Sequence, residues 1–158
     1  MGYETLRTQE TVGLRDVVEA DLEVFLRHEH DPENVRRSKF QPREREQLIA
    51  HWRTRILGDS TVLVRTAVVD GVVAGSVVAW WEGDRRFLGY VFGREFWGRG
   101  IGTKALRQFL LLEPARPLYA DPYAGNTGSC RLLEKVGFKR GESVLHGDNA
   151  HVMYVLES

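Results

Sequence analysis

Gly98, Gly100 and Gly102 alternate with Arg99 and Ile101 at a point where an extended run ending at Phe92 hands over to a helical period. Backbone without Cβ atoms can approach a ligand closely, and the first-turn N–H groups of a helix have no internal partner. Together they build a site for an anion such as a pyrophosphate. Arg99 and Lys104 add positive charge. The plain alternative is a tight strand-to-helix turn with no ligand, but such a turn needs one glycine rather than three. A P-loop requires Gly-Lys-Ser/Thr, which Gly102-Thr103-Lys104-Ala105 does not supply. The dinucleotide pattern G-x-G-x-x-G/A fits Gly100 to Ala105, with Asp121 placed for a ribose contact. Its context does not fit, because hairpins precede it and only about 55 residues follow, too few for the rest of a doubly wound domain.

The elements that must position this loop are read from periodicity. Val12 to Arg15 suits a short strand. Asp16 with Glu19 reads as a capping box before Val18, Leu22, Phe25 and Leu26, which predicts a helix to about Glu29. Asp31 to Gln41 reads as a polar link, and Pro42 as the first turn of a second helix carrying Leu48, Ile49, Trp52 and Ile56 until Gly58. Thr61 to Val69 and Val72 to Trp81 flank Asp70-Gly71, a hairpin signal, because a type I′ turn needs positive φ at both central residues. Glu82-Gly83-Asp84 then turns into Arg85 to Phe92. Ile101, Ala105, Phe109 and Leu112 share a helical face that ends at Pro114 and Pro117. Leu118 to Asp121 reads as a strand, Thr127 to Val136 as a helix closed by Gly137, and the remainder as two strands turning near Gly147-Asp148. The expectation is an α/β (α+β) fold around a single mixed, mostly antiparallel sheet flanked by helices, forming one domain over residues 1–158.

Composition narrows the function classes. Lys and Arg number 22 and so do Asp and Glu, so no net field holds nucleic acid or an anionic membrane by charge alone. Cys130 is the single cysteine, which excludes an internal disulfide and a zinc site needing two thiolates, and fits a reducing cytoplasm. It reads as a packing residue. His28 and His30 lack an evident third ligand, and His51, His146 and His151 form no H-x-x-x-H, so no metal site is expected. No apolar stretch reaches the roughly eighteen residues of a membrane span, and Met1 to Leu6 has neither a leader pattern nor the Ser or Thr of a myristoylation signal. A soluble, cytoplasmic monomer or homodimer with no nucleic-acid or membrane partner is expected.

The segments Leu88 to Tyr90, Phe96-Trp97-Gly98-Arg99-Gly100-Ile101-Gly102-Thr103, Ala120-Asp121-Pro122-Tyr123-Ala124-Gly125-Asn126 and Leu132-Leu133-Glu134-Lys135-Val136-Gly137-Phe138 resemble the GNAT superfamily of acyl-CoA-dependent N-acetyltransferases. The nearest likeness is to its ribosomal-protein-alanine N-acetyltransferase-like branch. The family loop pattern Q/R-x-x-G-x-G/A falls on Gly100 and Gly102, with Trp97 where Gln or Arg usually stands. The resemblance implies that the backbone of Gly98, Arg99, Gly100, Ile101, Gly102 and Thr103 holds the CoA pyrophosphate. It further implies that Tyr90, Val91 and Phe92 pair with the pantetheine arm and aim an N–H at the thioester carbonyl. Asn126 matches an asparagine beside the pantetheine and also suits a helix N-cap.

Transfer to an amine requires removal of the ammonium proton and stabilisation of charge on the thioester oxygen. By the resemblance Asp121 stands where some relatives carry the base, although it also suits a cap of the turn at Pro122-Tyr123. Glu82 and Asp84 are further acidic candidates at a hairpin tip. The usual tyrosine acid falls on Leu133, leaving Ser129 or Tyr123 to protonate the thiolate, or unassisted departure. Phe40 and Trp52 are candidates for the acceptor pocket, which early helices of this fold commonly cover. The implied activity is metal-free acetyl transfer from acetyl-CoA to a small-molecule or peptide amine. The alternatives are a non-catalytic CoA- or nucleotide-sensing module and, after it, a dinucleotide-dependent oxidoreductase.

Overall fold

The computed structural model describes residues 10–158, so the Met1–Leu6 stretch considered above lies outside it. Strand β1 covers Val12–Arg15 and is followed by helix α1, Asp21–His30. The helix begins later than the Asp16 and Glu19 pair implies. Asp16 stands 90% exposed, while Asp21 turns inward and accepts bonds from the Val18 N–H at 3.0 Å, the Thr66 hydroxyl at 2.7 Å and the Arg15 guanidinium at 2.7 and 2.9 Å. A buried carboxylate with these partners fixes the helix entry where a solvated one does not. The expected polar link is itself a helix, α2, Pro32–Ser38, with Pro32 in its first turn and the Asp31 carboxylate accepting the Glu33 N–H at 2.9 Å. Helix α3 runs Arg45–His51, three residues beyond Pro42, and continues into a π-helical turn, Trp52–Ile56.

Strands β2 (Leu63–Val69), β3 (Val72–Glu82) and β4 (Arg85–Phe92) form the expected meander, with Asp70 at φ 49° and Gly71 at φ 83° in the first turn. Helix α4 (Ile101–Leu112), strand β5 (Leu118–Ala120), helix α5 (Thr127–Lys135) and the hairpin of β6 (Lys139–His146) and β7 (Asn149–Leu156) complete the chain. One seven-stranded sheet results, in the order β1-β2-β3-β4-β5-β7-β6, antiparallel except between β4 and β5. This is the mostly antiparallel mixed sheet flanked by helices that the sequence predicts.

Two apolar layers cover the sheet. Ala105, Leu106 and Phe109 of α4 and Leu133 of α5 pack with Leu88, Phe92 and Tyr154 on one face, while Leu22, Phe25, Leu48 and Trp52 pack with Val64, Val73 and Val78 on the other. At the foot of the sheet Arg86 is buried against Glu113, Nε to Oε1 at 2.9 Å, and also donates to the Thr61 carbonyl at 2.7 Å. The parallel pairing of β4 with β5 is confined to Arg86 with Leu118 and Phe87 with Tyr119. β4 then runs on to Phe92 whereas β5 ends at Ala120, so the two strands part and leave a gap above the pairing.

Candidate active site

The gap is lined by main chain with a fixed direction. Gly93 donates its N–H to Ala74 on β3 at 2.9 Å, and the β3–β4 register runs without a shift from Gly75–Phe92 to Glu82–Arg85. In an antiparallel pair alternate residues turn their polar groups to the partner, so Val91 and Gly89 are engaged with β3 while Tyr90 and Phe92 face the gap. The Phe92 carbonyl is occupied by the Trp97 indole N–H at 3.1 Å and the Asn34 amide at 3.2 Å. Of the three residues expected to line the cofactor strand, Tyr90 and Phe92 therefore offer main-chain N–H groups to the gap, and Val91 does not.

Beyond Phe92 a short 3₁₀ turn, Arg94–Phe96, leads into the glycine loop. Gly98 at φ 70° and Gly100 at φ 77° take left-handed backbone that a side chain would strain, and space around both is open. The N–H groups from Gly98 to Thr103 have no hydrogen-bond partner among the described residues, and Lys104 is the first to close the helix, onto the Gly100 carbonyl at 3.2 Å. Six adjacent donors at a helix start make a cradle suited to an anion. Ile101 is buried and anchors the helix, while Gly102 packs so tightly that an added Cβ would lie 2.9 Å from Leu132 Cδ2. The Arg99 side chain turns away from the cradle, donating to the Glu95 carbonyl at 2.7 Å and pairing with Glu10. The Arg37 guanidinium lies over the Trp97 ring at 4.4 Å, which joins α2 to the loop.

Directly after β5 stands Asp121. Its Oδ2 lies 2.9 Å from His146 Nε2, and its carbonyl accepts from His151 Nδ1 at 2.8 Å. The Tyr123 ring stands 5.9 Å from that of His151, with Lys39 Nζ 5.6 Å from the Tyr123 centroid. Asn126 caps α5 by accepting the Ser129 N–H at 3.3 Å. Ser129 Oγ in turn lies 2.6 Å from the Tyr90 hydroxyl, and burial pushes that phenol up from its ordinary value despite the opposing bond to Ser129. Leu133 is fully buried.

The acceptor candidates divide. Phe40 is 45% exposed, with the Arg43 guanidinium over its ring at 5.0 Å, on the same α2–α3 connection as Lys39. Trp52 is core rather than pocket, 6% exposed with its ring 4.7 Å from Phe25. Glu82 lies at the foot of β3 opposite Arg85, five residues of strand, about 17 Å, from Tyr90, and it accepts the Trp80 indole N–H at 3.2 Å. That distance removes it from the gap.

From sequence the Tyr90 hydroxyl carries no signal, and the histidines of the last hairpin read only as an incomplete metal set. The signal for the hairpin was its turn. Gly147-Asp148 pairs His146 with Asn149 and Val144 with His151, making the two histidines diagonal neighbours on one face, with ring centroids 4.4 Å apart. Among the described residues no group of three or more His, Cys, Asp or Glu is arranged to hold a metal ion, and no helix is long and apolar enough to cross a membrane.

A row of free N–H groups at the head of a splayed β4–β5 pair is an arrangement suited to an extended ligand with an anionic end. Residues 11–139 match the sequence profile of the Acetyltransferase (GNAT) domain, and the chain belongs to that family. It is an acetyl-CoA-dependent N-acetyltransferase, and the cradle and gap fit acetyl-CoA as cosubstrate. No relative is detected among curated proteins by sequence. Solved structures with the same fold include the aminoglycoside acetyltransferase AAC(6')-Ib in complex with coenzyme A and kanamycin, with 23% identity over 93% of this chain and 95% of that one and a TM-score of 0.75. A GNAT-family acetyltransferase from Bacillus anthracis has 17% identity over 95% and 96%, TM-score 0.75. A domain from Methanocaldococcus jannaschii has 18% identity over 94% and 99%, TM-score 0.77.

Proposed function

We propose that the enzyme moves the acetyl group to a primary amine by direct attack in a ternary complex, the whole chain acting as one transferase domain. What supports this reading is the splay of β4 from β5 beside the glycine loop, with the Tyr90 and Phe92 N–H groups on the β4 side and Asp121 directly after β5. Both substrates then meet over a single trough, with no side chain needed to carry the acetyl group between them.

In this reading the N–H groups of Gly98 to Thr103 bind the pyrophosphate, and Asn126 borders the pantetheine arm. A β4 N–H stabilises charge on the thioester oxygen, a contribution of about 3 to 4 kcal/mol in acyl-transfer enzymes. Asp121 serves removal of the amine proton. The Ser129 hydroxyl, held by Tyr90, relays a proton to the departing thiolate, with Tyr123 closing the acceptor end beside Phe40. A small-molecule or peptide amine fits this mouth, and the kanamycin complex of the structural neighbour supports a small-molecule acceptor. A free-thiol assay with acetyl-CoA and a panel of primary amines tests the reading. Release of CoA thiol matched by an acetylated product is expected, whereas binding of acetyl-CoA without thiol release for any amine would favour a sensing module.

A further inference from the structure

We infer that His146, rather than Asp121, is the atom-level acceptor of the amine proton, and that Asp121 orients it. The assignment rests on the acetyl-transfer reading and deepens it. An ionised carboxylate can only accept, so the 2.9 Å contact between Asp121 Oδ2 and His146 Nε2 places a proton on Nε2. The neutral ring is thereby left with its lone pair on Nδ1. His146 is the more open partner, its side chain 50% exposed against 32% for Asp121.

The surroundings hold this pair in place. A carbonyl likewise only accepts, so His151 donates Nδ1–H to the Asp121 main chain at 2.8 Å and fixes the residue from β7. The two imidazoles meet edge to face at 4.4 Å, and Tyr123 backs His151. The charged and titratable groups around His146 are Asp121 from the end of β5, His151 from β7, Tyr123 from the turn before α5, Lys39 above Tyr123 and Asp148 in its own hairpin turn. An imidazole is suited to proton transfer near neutral pH, and a carboxylate beside it fixes the tautomer and stabilises the imidazolium.

The step balances as follows. The ammonium group gives one proton to His146 Nδ1, and the free amine attacks the thioester carbon to form the C–N bond. The C–S bond breaks as the second nitrogen proton is relayed through the Ser129 hydroxyl to the thiolate. The imidazolium returns its proton to solvent, so an amide, a thiol and one proton are produced.

Gln at position 146 retains an N–H for Asp121 but cannot titrate, which separates the base from a scaffold. Wild type, His146→Gln, His146→Ala and Asp121→Asn are assayed by thiol release from acetyl-CoA with kanamycin, spermidine and an alanine-terminated tripeptide, after circular dichroism has checked each fold. Both His146 variants should lose roughly 10²- to 10⁴-fold in kcat, bind acetyl-CoA as wild type does, and lack the rising limb of kcat/KM between about pH 5 and 8. A His146→Gln enzyme with near-normal turnover and an unchanged profile overturns the assignment while the transfer reading stands. Wild-type protein that binds acetyl-CoA and releases no thiol with any acceptor overturns both.

Discussion

An ammonium ion cannot attack a thioester, so the group that removes its proton sets the rate wherever the carbonyl is already polarised by the β4 backbone. Asp121→Asn keeps the side-chain shape and removes its charge. Turnover should fall roughly 10²- to 10⁴-fold, acetyl-CoA affinity should hardly change, and the residual rate should climb toward alkaline pH, where solvent supplies the free amine. A variant with normal turnover and an unshifted profile would leave Asp121 as a turn cap. The cradle makes the opposite demand, for absent side chains. Gly102→Glu pushes a Cβ to 2.9 Å from Leu132 Cδ2 and adds a negative charge beside six free N–H groups. Because Leu132 is the flexible end of a side chain, the fold should survive with a small loss in Tm. Acetyl-CoA binding by calorimetry should weaken 100-fold or more, on the order of 3 kcal/mol; binding within a few fold of wild type would move the pyrophosphate site elsewhere.

Elements place these residues, and their legibility in sequence follows the range of the forces that fix them. The β2–β3 hairpin, the glycine loop and the start of α5 are local, set by Asp70-Gly71, by glycines at positive φ and by Asn126, so periodicity and turn chemistry suffice to read them. The start of α1 is not local, because Asp21 is held by Thr66, 45 residues away, and a capping box at Asp16 offers an equally good pattern. Helix α2 reads from sequence as a polar link because, despite its Asp31-Pro32 start, it is short and has no buried residue, so it carries no apolar stripe. The pairing of Asp121 with His146 is likewise tertiary, made when β7 takes its place beside β5. The foot of the β4–β5 pairing depends on one such contact. Arg86 and Glu113 are both buried and bonded to each other, to the Thr61 carbonyl and to the Ala115 N–H. Removing one charge leaves the other unpaired, so Glu113→Ala should cost about 3 to 5 kcal/mol in chemical denaturation, whereas the double change Arg86→Met with Glu113→Leu should cost much less. Equal losses in the single and double variants would mean that packing rather than charge holds the foot.

For the whole molecule, equal numbers of acidic and basic side chains leave no net charge at neutrality, so acid sensitivity depends on a few buried groups rather than on general repulsion. Exposed pairs such as Arg53 with Glu19 are screened and contribute little. Two groups are different. Burial disfavours the imidazolium of His28, outweighing the attraction of Glu95, and holds its pKa below the ordinary value; its Nδ1 is buried without a partner. Burial opposes ionisation of Asp21, but Arg15, the Val18 N–H and the Thr66 hydroxyl overcome it and hold that carboxyl below its usual range. Both lowered values act in the same direction. Each group's stabilisation is complete above its unfolded-state pKa, about 6.5 for histidine and 3.9 for aspartate, and is lost as pH falls toward the folded value. Acidification should therefore weaken the protein in two separate stages, measurable as unfolding free energy by urea titration from pH 8 to pH 3. His28→Leu removes a ring nitrogen that has no partner and should flatten the curve between about pH 7 and 5, with stability at pH 8 within about 1 kcal/mol of wild type. Asp21→Asn should instead cost roughly 2 to 3 kcal/mol at pH 7, because Arg15 and Thr66 lose a charged acceptor, and its deficit should shrink below pH 4, where the wild-type carboxyl begins to protonate. A His28→Leu protein that loses stability between pH 7 and 5 as steeply as wild type would assign the first stage to another group, with His51, also lowered chiefly by burial, next in line.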